Sequence, residues 1–147
     1  MPSASLVKPT HKAIVAYYQT LQAYGEHEVE HETALRSAFQ NLLAETAMAH
    51  HWMLVPEQPT RVGGKLVRPD GTLCDEYNLH RGYWEAKDTG DKLDAEIGKK
   101  IAKGYPLANT IFEDTRQAVL FQGKREVRRT DLTDPQNLAD LLNHFYA

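Results

Sequence analysis

The chain has 147 residues, 41% of them hydrophobic and 25% charged, which suits one domain with its own core. A net charge of −3 excludes a domain that grips nucleic acid by bulk charge alone, and no apolar run approaches the ~20 residues of a membrane span. The single cysteine, Cys74, excludes an internal disulfide and a multi-cysteine zinc site; read as a small apolar strand residue, it fits a reducing cytoplasm.

Residues 1–9 are expected to form a flexible N-terminus, and residues 1–5 lack the basic-then-apolar pattern of a secretory signal. A helix is expected from Thr10, because Ile14, Tyr17, Tyr18, Leu21 and Tyr24 recur at three- and four-residue spacing and Gly25 can stop it. A longer helix follows from Glu28 to His51, with Leu35, Phe39, Leu42 and Leu43 on one face. Then the period changes. Trp52-Met53-Leu54-Val55 is a short apolar run ended by Pro56, and Gly63-Gly64 marks a turn. Residues 65–75 and 82–87 read as two extended runs around the polar stretch Glu76 to Arg81, hence an antiparallel hairpin. Asp91 to Gly104 reads as a helix, capped by Asp88, Thr89 or Asp91 and closed by Gly104-Tyr105-Pro106. Ala108 to Phe112 and Gln117 to Gln122 read as strands, with Lys124 to Arg129 a third. Thr133-Asp134-Pro135 opens a terminal helix over residues 135–147, whose apolar face is Leu138, Leu141, Leu142 and Phe145. This order predicts one α/β domain over residues 1–147, a mixed central sheet flanked by helices.

Charge is unevenly spread. Acidic residues crowd positions 26–45, whereas Lys92, Lys99, Lys100, Lys103, Lys124, Arg125, Arg128 and Arg129 lie in the later half, so net charge understates a positive face. The chemistry concentrates in Pro69-Asp70, fourteen intervening residues, then Glu85-Ala86-Lys87. In a strand, residues i and i+2 share a face, so Glu85 and Lys87 project together, and the hairpin brings Asp70 beside them. Two adjacent carboxylates repel unless a cation lies between them, and hard oxygen ligands suit Mg²⁺. The Ala86 carbonyl can add an oxygen, and Lys87 can orient or help deprotonate the water that attacks a phosphorus. Tyr83-Trp84 makes the strand apolar up to the point where these charges begin, and charges at the end of a core strand call for a cause such as a metal.

The segments RPDGT at 68–72, GYWEAKD at 82–88 and KLDAEIGKKIAKGYP at 92–106 resemble the N-terminal nuclease domain of large restriction–modification polypeptides. That family is of the PD-(D/E)XK, type I single-polypeptide kind, and the resemblance spans nearly the whole chain. It implies a restriction-endonuclease-like α/β core and Mg²⁺-dependent DNA cleavage, with Mn²⁺ able to substitute. It also implies motor, methyltransferase or target-recognition domains in the same native polypeptide, beyond Ala147. ETALRSAFQNLL at 32–43 resembles the family's first helix, whose leading glutamate can reach the metal, so Glu32 is carried over as a further ligand. Related nucleases often carry a glutamine on the helix after the ExK strand; here that region offers Glu96 and Lys99-Lys100, and Lys92, Lys99, Lys100 and Lys103 are the expected DNA contacts.

Three other readings compete. His27-Glu28-Val29-Glu30-His31 formally matches the HExxH zinc-protease signature, but it opens a helix amid further glutamates and has no evident third ligand, so an acidic helix end accounts for it. A silent binding module of the same fold would have no use for clustered carboxylates near phosphate. Asp75 rivals Asp70, but it lies five residues on, at opposite strand parity unless a bulge intervenes.

Overall fold

The computed structural model describes residues 6–26, 32–87 and 92–147, with residues 32 and 33 described by their backbone alone. Helices α1 (Lys12–Glu26) and α2 (Glu32–Ala47) precede strands β1 (Met53–Pro56), β2 (Thr60–Val62), β3 (Lys65–Val67), β4 (Gly71–Cys74) and β5 (His80–Ala86). Helix α3 (Leu93–Ala102) then leads to β6 (Asn109–Glu113), β7 (Gln117–Gln122), β8 (Arg125–Asp131) and α4 (Pro135–Tyr146). Six strands form one sheet in the order β1-β4-β5-β6-β7-β8. Its pairs are antiparallel except β5 with β6, which are parallel, and α3 supplies the crossover that parallel neighbours require. The mixed sheet flanked by helices is the expected architecture.

Side-chain alternation sorts this sheet into two cores. Trp84, Ala86, Ile111, Ala118 and Leu120 share one buried cluster with Ile14 and Tyr17 of α1, Phe39, Leu42 and Leu43 of α2, and Leu138, Leu141, Leu142 and Phe145 of α4. The Trp84 ring stacks on Phe39 with centroids 5.8 Å apart. On the opposite face Phe112 and Val119 pack with Leu93 and Ile97 of α3. Successive residues of β6, Ile111 and Phe112, thus anchor opposite layers. Helix α4 starts where the sequence placed it, with the Asp134 carboxylate accepting the N–H of Gln136 and Pro135 in the first turn.

Several boundaries differ from expectation. Gly25 lies inside α1 rather than stopping it, and α2 ends in a 3-10 turn over Met48–His50. Residues 65–75 are two strands. Arg68-Pro69-Asp70 breaks the run, since Pro69 has no N–H to give a ladder, and the pieces enter different sheets. β4 makes the expected hairpin with β5, whereas β3 folds back on β2, a strand the patterning did not show, as a separate two-stranded ribbon. Its turn is Gly63-Gly64, with φ of 57° and 82°, the positive values a tight two-residue hairpin demands at both central positions. The flanking residue Lys92 caps α3 without a side-chain hydrogen bond. The proposed caps Asp88, Thr89 and Asp91, and the whole HExxH stretch His27 to His31, lie outside the described residues.

Gly82 fixes how closely α4 approaches the sheet. A methyl there would sit 2.5 Å from Cζ of Phe145, a fully buried ring. Gly82→Ala is expected to destabilise the chain by about 1–3 kcal/mol through overpacking, read as a lower urea midpoint at unchanged slope.

Candidate active site

Since Trp84 and Ala86 belong to the α1/α2/α4 core, strand parity turns Glu85 toward the α3 layer, and Lys87, the next residue beyond the strand, follows it. Asp70 immediately precedes β4, and the pairing of Gly71 with Trp84 brings it opposite Glu85. Two hydrogen bonds lock this junction. The Asp70 N–H donates to Glu85 Oε1 at 3.1 Å, and the Ala86 N–H donates to Asp70 Oδ2 at 2.8 Å. Asp70, Glu85 and Ala86 therefore meet at the end of the hairpin.

Cations close in from both layers. From α2, Arg36 Nη1 lies 3.7 Å from Asp70 Oδ1. From α3, Lys100 Nζ lies 3.0 Å from Glu85 Oε2, beside Tyr105, whose hydroxyl it approaches at 3.3 Å and whose ring centroid is 4.5 Å away. Lys87 Nζ is 3.8 Å from Glu96 Oε2. Lysine and glutamate thus exchange partners between β5 and α3.

Burial sets the protonation. Glu85 is 2% exposed, and burial first, then the charge of Asp70 and a hydrogen bond with it, push its pKa up to about 7 against the opposing pull of Lys100. Burial likewise lowers the pKa of Lys87, with Lys100 adding to the effect and Glu85 and Glu96 resisting it. Lys100 shows the reverse balance: burial pulls it down, but the hydrogen bond and charge of Glu85 outweigh that and its pKa is raised. A carboxylate this deep, pressed against a second one, favours a hard cation. Asp70 and Glu85 fit Mg²⁺ by donor chemistry, though no group of three or more His, Cys, Asp or Glu side chains gathers as a metal site among the described residues. The side chain of Glu32, carried over as a further ligand, lies outside the described part; α2 reaches the site through Arg36, one turn further on.

Asp75 is not part of the cluster. It accepts the N–H groups of Tyr77 and Leu79 and pairs with Arg81 at 2.8 Å, so it shapes the β4–β5 turn at the other end of the hairpin. The four lysines expected to face DNA divide. Lys92, Lys99 and Lys103 are exposed, Lys99 against Glu96 at 3.2 Å. Lys100 instead turns inward, because it continues the buried stripe of Leu93 and Ile97. That placement was a readable signal, a charge on the apolar face of a helix. Glu96, in the region of the expected glutamine, pairs with Lys87, whereas Arg36 and Tyr105 carried no signal in the sequence. Nor did Glu113, 1% exposed, whose carboxylate accepts the Trp84 indole N–H at 3.0 Å and the Thr115 N–H at 2.8 Å.

Among the described residues no helix is long and apolar enough to cross a membrane. No family model matches the chain, and no curated protein matches it. A solved structure does: the cryo-EM structure of a DrdV–DNA complex, at 43% identity and a TM-score of 0.87 over 92% of this chain. The match spans only 14% of that longer chain. With the mixed sheet, it supports a restriction-endonuclease-like domain.

Proposed function

We propose that the chain is a Mg²⁺-dependent endonuclease domain that hydrolyses DNA phosphodiester bonds, the cleavage module of a larger restriction–modification polypeptide. The observation that carries this reading is the interlock of Asp70 with Glu85 and Ala86, with Lys87 two residues on from Glu85. The DrdV structure contains DNA, and this chain corresponds to a small part of its length, which suits a module delivered by other domains.

Asp70, Glu85 and the Ala86 carbonyl would hold the metal, which when bound supplies positive charge to the phosphate oxygens. Lys87, mostly buried and paired with Glu96, keeps its ammonium at the site and orients the attacking water. Arg36 fixes the Asp70 carboxylate from the α2 side.

The test is nicking of supercoiled plasmid with Mg²⁺ or Mn²⁺, against an EDTA control. A proton on Glu85, whose pKa is about 7, competes with the cation. At subsaturating Mg²⁺ the cleavage rate should therefore rise from pH ~6 to pH ~8, and saturating Mg²⁺ should shift that rise to lower pH. Cleavage that persists in EDTA would defeat the reading.

A further inference from the structure

The β2–β3 ribbon is not part of the main sheet, yet it leads directly into the site, with Arg68 two residues before Asp70. Contacts tie it to the end of α3. The Tyr105 hydroxyl donates to the Arg68 carbonyl at 3.3 Å, and the Lys65 stem lies against Gly104. Cross-strand pairs share a face, so Thr60 with Val67 and Val62 with Lys65 form the inner side, while Arg61 and Leu66 point outward. Arg68 continues that outer alternation and is exposed.

The outer face is therefore arginine, leucine, arginine, and Leu66 is 64% exposed. Neither Arg61 nor Arg68 has a side-chain hydrogen bond or ion pair among the described residues. Some surface cations have acidic partners, as Lys12 has Glu45, Arg81 has Asp75 and Arg129 has Asp94 and Glu126, whereas others, Lys124 and Arg125 among them, have none among the described residues. A two-stranded ribbon is narrow enough for the major groove of duplex DNA.

Resting on the hydrolytic reading above, we infer that the β2–β3 ribbon docks in the groove of the duplex beside the scissile phosphate, with Arg61 and Arg68 on phosphates and Leu66 in the groove. Lys124 and Arg125, at the β7–β8 turn, lie at the opposite end of the strands from Glu85 and Glu113 and take no part.

The experiment is fluorescence anisotropy of a short labelled duplex over a range of salt, with Ca²⁺ replacing Mg²⁺ so that the strands stay intact. Arg61→Ala/Arg68→Ala should weaken binding about tenfold or more at ~0.05 M salt and flatten log K against log salt by about 2, near 0.9 per lost phosphate contact. Leu66→Ala should weaken binding with the slope unchanged, and Lys124→Ala/Arg125→Ala should match the wild type. Equal affinity and slope for wild type and the Arg61/Arg68 variant would overturn the inference. So would absence of any binding at about 50 μM protein, a concentration that detects ordinary non-specific affinity. Failure of the hydrolytic reading looks different: ribbon-dependent binding persists, but Mg²⁺ brings no cleavage.

Discussion

Asp70→Asn is expected to lower Mg²⁺-dependent plasmid cleavage by at least about a thousandfold, since a bound metal supplies several kcal/mol of charge stabilisation and each 1.36 kcal/mol is tenfold in rate. The substitution is nearly isosteric. An asparagine oxygen can still accept the Ala86 N–H where Asp70 Oδ2 does at 2.8 Å, and the amide can face Glu85. What disappears is one of two carboxylates whose proximity pushes Glu85 upward. The metal-free variant should therefore melt close to the wild type, because relief of that repulsion offsets the lost ion pair with Arg36. Loss of cleavage with retained or raised stability separates a site built for chemistry from a structural contact. Lys87→Met should match it in cleavage while leaving Mn²⁺ affinity within a few-fold, since its ammonium pairs with Glu96 rather than with Glu85. An Asp70→Asn protein that keeps a tenth of wild-type cleavage would remove Asp70 from the reaction.

The Asp70–Glu85–Lys87 group was legible because it depends on two local rules, strand parity and hairpin pairing, that need only the spacing of a proline, an aspartate and an ExK triplet. Its counter-ions were not, because they come from helices rather than from the hairpin. Arg36 and Lys100 meet the carboxylates only once α2 and α3 have packed on opposite faces of the sheet. Lys100 carried a partial signal, since it shares a helical stripe with Leu93 and Ile97. Read for charge alone it joined the exposed lysines, and read for position it belonged inside. Similarly, β2 was missed because Thr60–Val62 is three residues long, too short for any period to emerge. The run 65–75 misled because Pro69 interrupts it without a change in composition. Glu113 gave no sign at all: a glutamate ending a strand reads as solvent-facing until Trp84 is seen to cover it.

That buried glutamate leads to the second large expectation, a crossing of two stability curves. Burial, opposed by the hydrogen bonds from Trp84 and Thr115, pushes the pKa of Glu113 up to about 8 from an ordinary 4.5. A raised carboxyl pKa means that the folded chain holds its proton more tightly than the unfolded chain does. The resulting stability is fully present below pH ~4.5 and is lost as the pH rises through ~8, by at most about 5 kcal/mol. Glu113→Gln removes the titration. It also sacrifices one hydrogen bond, because a Gln amide can accept from Trp84 or from Thr115 but not from both, at a cost of about 1 kcal/mol that does not vary with pH. The variant should therefore be the less stable protein at pH ~4 and the more stable one at pH ~9. Urea unfolding in EDTA across that range reads the difference, and EDTA keeps metal binding at Glu85 from adding its own pH dependence. Other carboxylates titrate in both proteins and cancel in the comparison. Parallel curves across the whole range would show that Glu113 is ionised in the folded chain at neutral pH, its charge offset by Trp84 and Thr115 alone.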